Sequence, residues 1–185
     1  MLDLTIEGGW DGRALEPHEK VRLRLGFSTD SLLIEIDAPY NGDPAPPAPA
    51  GSFDGLWNHE VVELFVQGRG QAYSEIELGP HGHHLLLRLS GPRRVIDQGL
   101  PIDFHSARHG NRWQGRAQVP VAFIPTEGPF RGNAYAIRGL GAAREHHALF
   151  PVPGAKPDFH QPSRFRELDI PRLRGPRGDG GPRFG

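Results

Sequence analysis

Aliphatic and charged residues alternate along short stretches of this chain, most clearly in Leu56-Trp57-Asn58-His59-Glu60-Val61-Val62-Glu63-Leu64-Phe65-Val66 and Tyr73-Ser74-Glu75-Ile76-Glu77-Leu78. A period of two is that of a half-buried β-strand with one face on a core and the other polar. Strand-length stretches recur at 21–27, 31–37, 60–66, 72–78, 83–90, 113–119 and 133–139, each bounded by Gly, Pro, Asn or Asp. That recurrence predicts a single all-β, antiparallel sandwich, jelly-roll-like and with few or no helices. Val121-Ala122-Phe123-Ile124 is at most one helical turn, because Pro120 and Pro125 flank it. The proline-rich stretch 39–51 cannot donate a regular ladder of hydrogen bonds and reads as a long loop. From Pro171 the chain carries arginines among Pro and Gly with little apolar content, which predicts a disordered basic tail. The expected organisation is one domain over 1–170 and a tail over 171–185.

Alternation also assigns faces. With Val62, Leu64 and Val66 inward, Val61, Glu63 and Phe65 face out; with Ile76 and Leu78 inward, Tyr73, Glu75 and Glu77 face out. In 83–89 the odd positions read as buried, leaving His84, Leu86 and Arg88 on the other side. The outward sets of the later strands are Gln114, Arg116 and Gln118, then Ala134, Ala136 and Arg138. One polar face would then gather Glu63, Glu75, Glu77, Arg88, Arg116, Gln118 and Arg138. Carboxylates and guanidinium groups suit paired sugar hydroxyls, and aromatic rings stack on the apolar face of a pyranose. The competing reading of the same residues is a solvated face of weak cross-strand ion pairs.

Composition narrows the classes. The 185 residues suffice for one sizeable core, and a net charge of −1 offers no general attraction to nucleic acid or an anionic membrane. No cysteine is present, so disulfides and thiolate ligands are excluded. The first residues lack a basic stretch followed by an apolar one, and no run is long enough to span a bilayer, so a cytoplasmic location is expected.

The run 56–66 followed by Tyr73-Ser74-Glu75-Ile76-Glu77-Leu78-Gly79-Pro80-His81-Gly82 resembles the Trp-x-x-(Asp/Glu)-x-Val-Glu and Tyr-x-Glu-x-x-x-x-Pro-x-Gly pattern of the DOMON-like, family-nine carbohydrate-binding-module superfamily. Trp113-Gln114-Gly115-Arg116-Ala117, Asn133-Ala134-Tyr135-Ala136-Ile137, Phe150-Pro151-Val152-Pro153 and Lys156-Pro157-Asp158-Phe159-His160 are similar to a small stand-alone branch of it. The resemblance covers about residues 38–168. It implies a β-sandwich and a sugar-binding ancestry, in a superfamily where relatives carry structural calcium or haem. Trp57 and Glu63 match its first strand motif, and Glu75 or Glu77 the second.

The expected function is non-catalytic binding of a sugar or sugar-derived small molecule. Trp57 and Tyr73 would stack, Glu63, Glu75 and Glu77 accept hydroxyl hydrogens, and Arg88, Arg138 and His160 donate. No catalytic residue and no metal ligand is assigned, and no nucleic-acid or membrane partner. Two other classes stay open on the same fold: a protein-interaction module using the loop 43–50, and a glycan-processing enzyme using Glu75 with Glu77. His81, His83 and His84, with His146, His147 and His160, invite a metal, but alternation sends His83 and His84 to opposite faces. Haem would want an axial Met, and Met1 is the sole methionine. No cofactor is expected, with 37–43 the nearest stretch to a calcium loop.

Overall fold

A computed structural model describes residues 1–125 and 127–173. Among the described residues, thirteen strands form two antiparallel sheets. In chain order they are β1 (Leu2–Ile6), β2 (Gly8–Gly9), β3 (Val21–Phe27), β4 (Ser31–Pro39), β5 (Val61–Gln67), β6 (Tyr73–Leu78), β7 (His84–Leu89), β8 (Val95–Gln98), β9 (Asp103–His109), β10 (Arg112–Pro120), β11 (Arg131–Arg138), β12 (Glu145–Ala148) and β13 (Arg166–Glu167). The first sheet runs β1-β3-β4-β10-β9, the second β2-β12-β11-β5-β6-β7-β8, with β13 added on β11. The single turn expected at 121–124 is a 3-10 turn, Val121–Phe123. No helix of the described residues is long and apolar enough to cross a membrane.

The main core lies between the sheets. Leu23, Leu25, Ile34, Ile36 and Val119 meet Val62, Leu64, Val66, Ile76, Leu86 and Ala134 there. The outer face of the first sheet is solvated and laced with ion pairs, such as Arg24 to Glu35 at 2.9 Å and Arg116 to Glu35 at 3.1 Å. Pairs of this exposure contribute little to stability.

The outer face of the second sheet is covered. Val61, Phe65, Tyr73, Leu85, Leu87, Leu89, Tyr135 and Ile137 form a second apolar cluster, closed by Leu56, Val152 and Phe165, with Phe159 packed against it. The chain after β12 crosses this face and holds it by aromatic contacts: Phe159 stacks on Tyr135 at 3.8 Å, and Phe165 meets Tyr73 edge-on at 5.8 Å. The second sheet is therefore buried on both sides, which makes β5 and β6 buried at every position. This corrects the face assignment. Leu86, Ala134 and Ala136 point into the main core, and Arg88 and Arg138 lie on their side of the sheet, opposite Glu63, Glu75 and Glu77. Arg116 and Gln118 belong to the other sheet.

Gly132 marks the tightest crossing. A Cβ there would run into the carbonyl of Phe65 on β5 and into Leu168. Of the segment read as a tail, Pro171 and Leu173 lie along β3: Phe27 N–H donates to the Pro171 carbonyl at 2.8 Å and Leu173 N–H to the Phe27 carbonyl at 2.6 Å. The remainder of that segment, 174–185, lies outside the described residues.

Candidate functional site

Strand register gathers the acidic side chains. Glu63 on β5 stands directly opposite Glu77 on β6, and Glu75 is two residues along β6 on the same face. Tyr135 flanks Glu63 on the β11 side, while Leu85 and Leu87 of β7 flank Glu77 and Glu75. The three carboxylates are thus set in the second apolar cluster, 2%, 4% and 0% exposed, with one oxygen of each within 4.8 Å of the others. Neither oxygen of Glu77, nor Oε2 of Glu75, makes a well-formed hydrogen bond among the described residues, although the Trp57 backbone N–H favours the charged form of Glu77. Burial pushes all three carboxyl groups up, Glu63 to about 8, with the charge of Glu63 adding to the rise at Glu75 and Glu77.

A pocket of about 460 Å³ opens over this cluster. Glu63 and Glu75 lie at its floor, and its walls include Trp57, Asn58, Arg93, Arg144, His146, Asp158, Phe159 and His160. Trp57 sits in the 3-10 turn Leu56–Asn58, which Gly55 enters in the left-handed region at φ 87°. Leu56 is buried and anchors the turn, so Trp57 is turned outward and stays 43% exposed. Arg144 clamps the same turn, donating to the carbonyls of Trp57, Asn58 and Gly139.

The opposite wall is the crossing segment. Arg93 pairs with Asp158 at 2.5 Å, tying the β7–β8 loop to it. His160 is fixed by Tyr73, whose hydroxyl lies 2.8 Å from Nδ1, and its Nε2 is 3.7 Å from Glu75 Oε2. A Tyr73 proton donated to Nδ1 leaves the ring proton on Nε2, facing the carboxylate. Burial, then the charge of Arg93, lowers the pKa of His160; burial likewise lowers that of His146 and raises that of Tyr73 to about 12.

The expected site residues are therefore divided. Trp57, Glu63, Glu75 and His160 line one pocket. Glu77 lies behind the floor, and Tyr73 is buried beneath His160, where its ring faces Phe65 and Phe165 and is closed to a stacking ligand. Arg88 is on the other face, paired with Asp97 at 2.8 Å, and Arg138 holds Glu19 at 2.6 Å and Glu145 at 2.7 Å at the sandwich edge. Sequence reasoning did not place Arg93, Arg144 or His146 at the site; Arg93 comes from the β7–β8 loop, Arg144 from just before β12 and His146 from β12 itself, while Phe159 pins the crossing segment onto Tyr135 as the pattern around it suggests.

The other candidate ligand sets are already engaged. His83 Nε2 meets the Ala48 carbonyl at 2.9 Å and His81 Nε2 that of Asp43 at 3.0 Å. In the stretch 37–43, Asp37 pairs with Arg112, while Asp43 accepts from Asn41 and from the Gly139 N–H. Those carboxylates serve protein donors.

No protein-family model matches the chain. It is similar in fold to a candidate carbohydrate-binding protein from Bacteroides uniformis, with a TM-score of 0.71 at 18% identity over 88% of this chain and 83% of that one. It is also similar to a family 9 carbohydrate-binding module from Caldicellulosiruptor kristjanssonii in complex with cellotriose, with a TM-score of 0.54 at 11% identity over 89% of this chain and 80% of that one. The glucose complex of a family 9 module from that organism gives the same TM-score, 0.54, at 12% identity over 88% and 80% of the two chains. In sequence the chain is 39% identical over 185 residues to the Homo sapiens UPF0462 protein C4orf33, covering 94% of this chain and 91% of that protein. The homologs of Mus musculus and Danio rerio are 38% and 36% identical, each over 94% of this chain and over 94% and 92% of their own lengths. The chain belongs to the UPF0462 family.

Proposed function

We propose that the pocket over β5 and β6 binds a carbohydrate without transforming it. The observation that carries this reading is an outward-turned Trp57 on the wall of a pocket whose floor is carboxylate. An indole offers the apolar face of a sugar ring a flat partner, while Glu63 and Glu75 accept from hydroxyls and Arg93, Asn58 and His160 donate. Tyr73 acts through His160, and Glu77 from behind the floor. The bound sugars of the family 9 neighbours support the ligand class. A DOMON-like descent and a cytoplasmic setting complete the reading.

Isothermal titration of the purified chain with glucose and cellotriose tests it. Saturable binding to one site, weakened in Glu75→Gln, is the expected result. No binding of either would transfer the pocket to a protein partner. A second reading has its own observation: Glu63 and Glu75 both reach the pocket, with oxygens within 4.8 Å, of the order of the ~5 Å carboxyl separation of retaining glycosidases. Cleavage of cellotriose during the titration, followed by chromatography, would favour that reading.

A further inference from the structure

We infer that Glu63, Glu75 and Glu77 form a binding site for a hard divalent cation at the floor of the pocket. Three observations point there. The register sets Glu63 and Glu77 opposite each other with Glu75 beside them, and like charges paired across strands repel. All three are buried in an apolar cluster, where ionised carboxylates carry a large desolvation cost unless a counter-charge joins them. Independently of the clustering, Glu77 is fully buried with neither oxygen in a well-formed hydrogen bond, the Trp57 backbone N–H only favouring its charged form, and Glu75 Oε2 has no partner nearer than His160 Nε2 at 3.7 Å. A fully buried side chain with two idle acceptors is rare in a native fold and calls for a ligand.

The chemistry selects the ion. An all-oxygen donor set suits calcium, magnesium or manganese, and excludes the soft metals that prefer sulfur or imidazole. Oxygens that lie within 4.8 Å of one another can share an ion held by bonds of about 2.4 Å, the range of calcium. Three carboxylates supply up to six oxygens, and the open pocket above Glu63 and Glu75 provides an entry path and room for water to complete the shell. Of the cations nearest the cluster, Arg144 is occupied by the carbonyls of Trp57, Asn58 and Gly139, and His160, held by Tyr73 at Nδ1, turns Nε2 toward Glu75 Oε2 at 3.7 Å, which leaves Glu77 with no cation partner among the described residues. Among the described residues, this is the one such convergence of three His, Asp or Glu ligand atoms.

The site does not depend on sugar binding, and its test contains no sugar. The full chain, stripped with EDTA and exchanged into metal-free buffer, is melted with calcium, magnesium or manganese chloride in turn. A cation at a hundred-fold excess over its Kd should raise Tm by about 5–10 °C, and elemental analysis should find one ion per chain after desalting. Glu77→Gln keeps the shape of the side chain and removes its charge, so the metal-free variant should melt no lower than the wild type while losing the cation-induced shift. If Glu77→Gln is not folded by circular dichroism, Glu75→Gln takes its place. Absence of a shift with all three ions, or a shift retained in the folded variant, would overturn the proposal and leave the cluster neutralised by protons.

Discussion

Trp57→Ala is the sharpest perturbation of the pocket, because it separates ligand binding from folding. An indole side chain presents at most about 250 Å², and Trp57 keeps 43% of its surface in solvent, so roughly 110 Å² is available to a ligand. A pyranose ring covering about half of that buries some 50 Å², worth about 1.3 kcal/mol at 25 cal/mol per Å², or close to tenfold in Kd. The main chain of residue 57 survives the substitution, so its carbonyl still accepts from Arg144. Leu56 still anchors the turn, and the cost to folding should stay below about 1 kcal/mol. Calorimetric titration with cellotriose, alongside urea unfolding of both proteins, measures the two quantities. Weaker binding by about tenfold with near-unchanged stability supports the stacking role. Unchanged affinity in a variant that binds cellotriose would refute it.

Other elements give independent predictions. Burial, with Arg138 next in weight, lowers the pKa of His147 from 6.5 to about 4, and Glu145, Glu19 and Arg13 also bear on it. The unfolded chain takes up the proton first, so stability is full above pH 6.5 and falls toward pH 4, by about 3 kcal/mol from this group. Urea melts at pH 7.5 and 5.0 should show a smaller drop for His147→Gln than for the wild type; an equal drop would contradict the assignment. Phe165→Ala removes the buried ring that closes the second cluster over Phe65 and Tyr73, and should cost about 3–5 kcal/mol in chemical denaturation. Gly132→Ala, which drives a methyl into the Phe65 carbonyl, should lower Tm sharply, whereas Gly110→Ala, with nothing within 4 Å of the added carbon and only a left-handed φ of 61° to strain it, should cost about 1–2 kcal/mol.

The strands with strong alternation were legible. β3, β4, β5, β6, β7, β10 and β11 lie where the pattern puts them, because apolar residues recur there at period two between turn residues. The missed strands lack that signal for physical reasons. β8 and β9 are edge strands whose side chains are largely exposed, and β12, Glu-His-His-Ala, carries no large aliphatic residue. β1 does alternate, over only five residues.

The face assignment failed at the second sheet for a different reason. Alternation distinguishes two faces but does not say which is covered when both are. Phe65, Tyr73, Leu85, Leu87, Leu89 and Tyr135 all fall on the face of Glu63 and Glu75, and so many large apolar groups there were the available sign of a second cover. Arg88 and Arg138 were placed by parity without it. Trp57, Glu63, Glu75 and His160 were named from the sequence and meet at one pocket; their partners Arg93, Arg144 and His146 come together through contacts that no local pattern encodes.

The most direct test of the pocket as a sugar site is a backbone amide NMR titration with glucose and cellotriose. A sugar site there gives saturable shifts concentrated on residues 57–58, 63, 75, 93, 144–146 and 158–160, with the solvated face of β3, β4 and β10 unmoved. Shifts confined to that solvated face, or none with either sugar at millimolar concentration, would contradict it.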